Sequence, residues 1–340
     1  FEYFIRDTKN MVGPGAELPS TLGTTVPKTN NCDLRSHGWD LEIAWNDQLP
    51  FGLSYGARFV LSDARTKITR YNNNPSNSLD PDTYIQGRYI NEIWGYETIG
   101  VARTNDEMNA HLSSLPNGGQ AALGSNFAAG DVMYADLNGD GKIDNGANTL
   151  ENHGDLKLIG NSTPRYMFSF DLTGAWKGFD LRLFFQGVMK RDYWQGSGYF
   201  WGIAGDFWWS QGLTGHSDYF RDADTWSVKG GYSAENIDSY FPRPIFGNDG
   251  NKNHQTQTRY LQDASYIRLK NLQVGYTLPQ NLTRKIALEK VRVFFSAENL
   301  WTGTKLNKLF DPETIDDPNG WGGCAYPLSR TYSFGVSVTL

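Results

Sequence analysis

The sequence predicts an all-β fold, a transmembrane antiparallel up-and-down β-barrel with long extracellular loops. Three observations carry that prediction. Segments of about ten residues alternate apolar and polar side chains, as a wall with lipid on one face and a polar lumen on the other requires. The links between these segments are short and long by strict turns along the chain. Finally, aromatic residues reach 14% while no apolar run approaches the 18 residues of a membrane helix. The mean hydropathy of −0.53 does not oppose a barrel, because alternation halves the apolar content of each strand.

Residues 1–12 read as a first strand, followed by a Gly-, Pro-, Thr- and Asn-rich loop from Gly13 to His37. Trp39, Leu41, Ile43 and Trp45 then alternate with Asp40, Glu42 and Ala44. After a link at Asn46–Pro50, Phe51, Leu53, Tyr55, Ala57, Phe59 and Leu61 continue the apolar face. From Ser62 to Thr163 the chain is polar and too long for an ordinary loop, so local structure is expected around Tyr89–Gly100 and Asp131–Asp144.

The clearest hairpin follows. With Lys177-Gly178 as a two-residue turn, Trp176 faces Phe179, and the register of every later pair is fixed. Gly174 then meets Leu181, Leu172 meets Leu183 and Phe170 meets Phe185 on one face. Asp171 and Arg182 fall on the other. On this hairpin alone a soluble β-sandwich reads as well as a barrel, since both alternate.

A second long region, Lys190–Gln262, is rich in Gly, aromatic and Asp residues. The strand Tyr266–Thr277 changes parity near Asn271, which predicts a β-bulge. A link at Leu278–Lys290 with room for a helical turn leads to the alternating run Val291, Val293, Phe295, Ala297. A third loop, Thr302–Ser329, precedes the last strand, Tyr332–Leu340. In an up-and-down barrel every second link lies on one rim, so sorted lengths favour a barrel with short periplasmic turns; a Greek-key sandwich has no reason to sort its loops.

Composition removes several classes. The net charge of −6 with no basic stripe speaks against a nucleic-acid partner. The five histidines (37, 111, 153, 216, 254) form no HExxH, no GxSxG is present, and no carboxylate pair stands out, so no catalytic site and no organic cofactor are expected. Cys32 and Cys324 make no zinc or CxxC pattern; both fall in long loops of one side and either pair or stay free. Phe1 already sits in a strand-like run, so the 340 residues read as the C-terminal part of a longer protein, all within one barrel domain.

Five stretches in order resemble the SusC/RagA-type TonB-dependent transporters of the Gram-negative outer membrane. They are GDVMYADLNGDGKID (130–144), IGNSTPRYMFSFDLTGAWKGFDLRLFFQG (159–187), DASYIRLKNLQVGYTLP (263–279), VRVFFSAENLW (291–301) and YPLSRTYSFGVSVTL (326–340). The resemblance implies a barrel of about 22 strands, of which this chain supplies the last eight to ten, with the plug and the N-terminal strands absent. It implies TonB-driven import of oligosaccharides or peptides beneath a SusD-like surface lipoprotein lid. It also implies contact with outer-membrane lipid, and a dimer of transporter–lipoprotein pairs. The final residue departs from the family's usual Phe, being Leu340. Two other readings stay in view: a secreted calcium-dependent glycan-binding or glycan-cleaving β-domain, and a surface adhesin or assembly protein.

Three sets of side chains are candidates for a site. Asp136, Asn138, Asp140, Lys142 and Asp144 stand at positions 1, 3, 5, 7 and 9 of a calcium-loop pattern, with Gly141 at the turn. Position 12 is Ala147 where an acid is expected, with Asn148 or Glu151 as substitutes; the alternative is a solvated Asx-turn cluster. Tyr193, Trp194, Tyr199, Phe200, Trp201, Phe207, Trp208 and Trp209 crowd one loop. They either meet substrate or lid, or form an aromatic girdle or a packed loop core. Asp171, Arg182, Arg292 and Glu298 face the lumen, where a structural charge ladder between strands is the preferred reading.

Overall fold

The computed structural model describes residues 1–13, 15, 21, 23, 29–202, 212–316 and 325–340. In chain order the strands are β1 (Glu2–Val12), β2 (Asn30–Gln48), β3 (Ser54–Tyr71), β4 (Glu92–Tyr96), β5 (Thr98–Val101), β6 (Val132–Tyr134) and β7 (Leu156–Asn161). They continue as β8 (Arg165–Trp176), β9 (Phe179–Lys190), β10 (Asp192–Tyr193), β11 (Gln262–Asp263), β12 (Tyr266–Thr277), β13 (Lys290–Thr304) and β14 (Thr331–Thr339). One helix, α1 (Asn105–Ser113), is capped by Thr104, whose hydroxyl accepts the Glu107 amide.

Eight of these strands form one antiparallel sheet in the order β1-β2-β3-β8-β9-β12-β13-β14. Neighbours in the sheet are successive long strands of the chain, which is up-and-down topology. At the β8–β9 turn Lys177 has φ 47° and Gly178 φ 90°, both in the left-handed region that such a turn demands. A Cβ on Gly178 would lie 2.7 Å from the Thr277 carbonyl oxygen, so the position needs glycine for space as well as for φ. The pairs Trp176–Phe179, Gly174–Leu181, Leu172–Leu183 and Phe170–Phe185 form as the sequence predicts. The β12 bulge also forms, between Leu269 and Asn271. It turns Leu269 and Leu272 to one face, opposite Phe185 and Leu183.

That face is apolar and bare: Ile43, Trp45, Trp176, Phe179, Leu181, Val274, Val293, Phe334, Val336 and Val338 are all exposed. No described helix is long and apolar enough to cross a membrane. The sheet therefore supplies the apolar surface, in the alternating form that suits a lipid-facing wall.

Several boundaries differ from expectation. Strand β2 already begins at Asn30, inside the loop expected from Gly13 to His37, which carries Cys32 into the sheet. The β2–β3 link lies at Leu49–Leu53 instead of Asn46–Pro50, closed by the Leu49 and Gly52 amides donating to the Leu53 and Leu49 carbonyls. Asn46 to Gln48 thus pair with Gly56 to Ser54 in the sheet. In addition β3 runs on to Tyr71, where a polar loop was expected from Ser62. With 19 and 18 residues, β2 and β3 extend about 60 Å, over twice the apolar band of about 25 Å. Above the band both faces meet water or protein, and the apolar alternation that marks a strand disappears.

The described parts of the long connections 72–164, 191–265 and 305–330 leave the same rim and fold together. Tyr96, Leu115, Val132, Tyr134 and Ile143 of the first pack with Phe200, Trp201, Phe241 and Tyr260 of the second and Leu306, Phe310 and Ile315 of the third. The short links, at 49–53, 177–178 and 278–289, lie on the opposite rim. The last contains the helical turn expected there, Gln280–Thr283. Local structure also forms where expected, as β4 to β6.

Candidate functional site

The aromatic run after β9 turns inward. Tyr193 is 9% exposed, Phe200 0% and Trp201 6%, while Trp194 and Tyr199 pack against the same cluster. Phe207, Trp208 and Trp209 lie outside the described residues. Trp201 stacks on His254 at 4.3 Å and meets Tyr260 edge-on at 4.8 Å. Of the readings open for this run, the described members take that of a packed loop core. Burial pushes the His254 imidazole down to about 4, because a charged ring would be stripped of water there.

A charged core ties the loops together. Lys252 and Asp131 are fully buried 3.1 Å apart. Lys252 also donates to the Ser125 and Asn126 carbonyls and to Asp249. Arg243 and Asn253 donate to the remaining Asp131 lone pairs, at 3.1 and 2.9 Å. The two sets, 125–131 and 243–253, lie over 100 positions apart, and nothing in that spacing marks them in the sequence.

In the Asp-rich loop the side chains close on the loop itself. Asp136 accepts the Gly139 and Gly141 amides at 2.6 and 2.8 Å, Asn138 that of Asp140, and Asp140 that of Lys142. Lys142 donates its ammonium to Asp144, holding that carboxyl below its ordinary range. Beside the loop lies Asp155, which the sequence reading did not single out. It is fully buried and accepts the Leu137 and Asp144 amides at 2.8 and 2.9 Å. Burial raises its pKa, and the nearby Asp136 adds to the rise. As the loop stands, no group of three or more His, Cys, Asp and Glu side chains among the described residues is arranged to hold a metal ion.

On the sheet face opposite the apolar one, Asp171 pairs with Arg182 at 2.7 Å across β8–β9. Arg292 of β13 reaches Asp180 of β9 at 2.9 Å, across the intervening β12. It passes over Gly275, where a Cβ would come within 2.4 Å of both partners. Glu298 makes no ion pair among the described residues. The same face holds a set not anticipated from sequence. Arg268 pairs with Asp311 at 2.7 Å and Glu313 at 3.1 Å, and Lys270 with Glu313 at 2.8 Å, while Arg191 pairs with Asp316. These contacts fold the start of the third long loop over the wall. Cys32 is a buried free thiol; Cys324 lies outside the described residues.

No family model matches the chain. Among curated proteins it is similar to TonB-dependent receptor P3 of Formosa agariphila, at 26% identity over 99% of this chain and 32% of that protein. TonB-dependent receptor P26 of the same organism is 23% identical with the same coverage. Among solved structures the chain is similar to the RagAB peptide transporter, with a TM-score of 0.67, 18% identity, and coverage of 99% of this chain and 32% of the other. RagAB in its closed-closed state gives a TM-score of 0.63. The chain thus spans about a third of the length of the relatives it matches.

Proposed function

We propose, from the premise that this chain is a barrel segment of a SusC/RagA-type TonB-dependent transporter, that the whole protein imports oligosaccharides or peptides across the outer membrane. The observation that carries the reading is the asymmetry of the sheet: one bare apolar face, one face of paired charges, and all long loops gathered at a single rim. Strands β1 and β14 are each paired on one side only. A sheet in lipid cannot leave such edges open, so further strands must complete the wall. Eight strands are roughly a third of 22, in step with the third of the relatives' length that the chain covers.

In this proposal the merged loops face outside, where a SusD-like lipoprotein closes over them, and transporter and lid assemble as paired dimers. The TonB complex acts through a plug that these 340 residues do not include. Both the P3 and P26 relatives are called TonB-dependent receptors, and the RagAB structures are of a peptide transporter, which supports import over catalysis. Deleting the gene should abolish growth on the substrate while leaving growth on its monomer intact. Purified protein that stays monodisperse without detergent would refute the membrane reading.

We also propose that loop 136–144 takes a divalent cation, calcium by its all-oxygen donors, only when Lys142 releases Asp144. The buried Asp155 beside the loop favours this. Terbium luminescence should be weak in the wild type and stronger in Lys142→Ala; no signal from either would leave the loop a turn stabilised by its own amides.

A further inference from the structure

Strands β3 and β8 pair only as far as Ser62 and Met167. Beyond that point residues 88–90 take the free edge of β3, the Ile68 amide donating to the Arg88 carbonyl and the Ile90 amide to that of Thr66. Where the two strands part, a cavity of about 350 Å³ lies among β3, β4, β7 and the adjoining ends of β8 and β9. Ile90, Leu158 and Ile159 give it apolar lining, and its charged lining residues are Arg65, Arg165, Lys190, Glu92 and Asp192. Three of the five are already matched. Glu92 takes Arg88 at 2.8 Å and the Tyr89 amide at 3.3 Å, and the buried Asp63 holds Arg165. Asp192 accepts the Asn161 amide at 2.9 Å. Arg65 and Lys190 are exposed and make no ion pair among the described residues. Two unpaired cations against one acid leave the cavity net positive.

Both cations are placed to hold an anion. The Arg65 guanidinium lies 3.8 Å from the centre of the Tyr89 ring, which fixes the side chain and leaves its N–H edge free to donate. Lys190 stands directly opposite Arg165 on the neighbouring strand, where like charges repel until an anion comes between them. The height on the wall says which anion. Arg65 keeps the parity of Tyr55, Phe59 and Leu61, with no register shift between them, so it belongs to the apolar face. Ten residues above Tyr55 is about 33 Å of strand, or about 25 Å of height at a tilt of about 40°, which is the full apolar band. Trp39, opposite Asp63 in the ladder, stands where an aromatic girdle would. The level just above the band is that of the lipid headgroups. Resting on the outer-membrane reading, we infer that this cavity binds the phosphate of an outer-leaflet lipid headgroup, with Arg65 and Lys190 as its two ligands.

The test uses the full-length transporter, purified and delipidated in a neutral detergent, and native mass spectrometry to measure binding. Dimyristoylphosphatidic acid and dimyristoylglycerol share their chains and differ in the phosphate, so the first should bind about tenfold more tightly. Arg65→Gln and Lys190→Gln, at exposed positions the fold tolerates, should each weaken phosphatidic acid about fivefold and together about twenty-fivefold. Lys285→Gln, in the short link of the opposite rim, should change nothing. Heat-modifiable gel mobility checks that each variant is folded. Equal binding of the two lipids, or phosphatidic acid binding that the double variant retains, would overturn the site. Inorganic phosphate that binds through Arg65 and Lys190 as tightly as the lipid does would overturn the lipid as its source. A wild type that stays monodisperse without detergent would instead overturn the membrane reading itself, whereas loss of the site in a protein that still requires detergent leaves that reading intact.

Discussion

Lys252 shows how much one residue can hold. It donates to two backbone carbonyls of the first long loop and to carboxylates of both loops, fully away from water. Removing one partner of a buried pair costs about 3–5 kcal/mol, because the other charge stays buried. Lys252→Met should therefore leave the sheet assembled yet open the loop cap to protease, and unchanged cleavage kinetics would show that the pair contributes nothing. His254 gives the cap a pH dependence of known sign. Its folded value of about 4 lies below the ordinary 6.5, so an opened loop takes up a proton that the closed one refuses. The contribution is complete above pH 6.5 and is lost as pH falls from there towards 4, about 3 kcal/mol in all. Protease sensitivity of the 191–265 segment should rise over that window, and His254→Phe should flatten the rise.

At the scale of the element, strand β14 separates positions on the apolar face from those on the polar face most sharply. Phe334 and Val336 pair with Phe295 and Val293 on the apolar face, whereas Ser337 pairs with Arg292 on the other. An arginine on the lipid face costs about 2–4 kcal/mol at mid-depth. Phe334→Arg or Val336→Arg should abolish the heat-modifiable assembled form, and Ser337→Arg should leave most of it; equal losses would contradict the assigned faces. The turn at Lys177-Gly178 is the other element-scale test. Gly178→Val combines a strained φ with a clash against the Thr277 carbonyl, so assembly yield should fall, while Lys177→Asn, a residue at ease in that region, should preserve it.

For the whole molecule, the barrel reading predicts that the turn residues and the loop residues lie on opposite sides of a membrane. Thiol labelling of intact cells, in a background with Cys32 and Cys324 replaced, should reach Asn117→Cys and Gly198→Cys but not Lys177→Cys. Labelling at 177 in unbroken cells would invert the topology. Asn319, in the loop Thr302–Ser329 and so expected on the same side as Asn117 and Gly198, lies outside the described residues. The resemblance to SusC/RagA-type transporters is borne out by relatives that match over nearly the whole chain. The expected fold is borne out too, in an eight-stranded antiparallel wall of matching topology.

What the sequence by itself determined is what short-range geometry enforces. A two-residue turn sets the register of β8 on β9, a parity change marks the bulge in β12, and period-two alternation assigns the two faces wherever one of them is apolar. The order of link lengths sorts the rims without any contact being known. Only the tertiary structure decided what the long loops do. The upper half of β3, from Ser62 to Tyr71, carries no apolar alternation, yet the ladder to β2 carries it on as strand. The described part of the aromatic run is core because Val132 and Tyr134 from one loop, and Phe310 from another, cover it. Asp155, Lys252 and Arg268 find their partners across 11 to 127 positions of chain. No local period encodes a pairing at that separation; it exists because three loops leaving one rim share too little space to bury their apolar side chains apart.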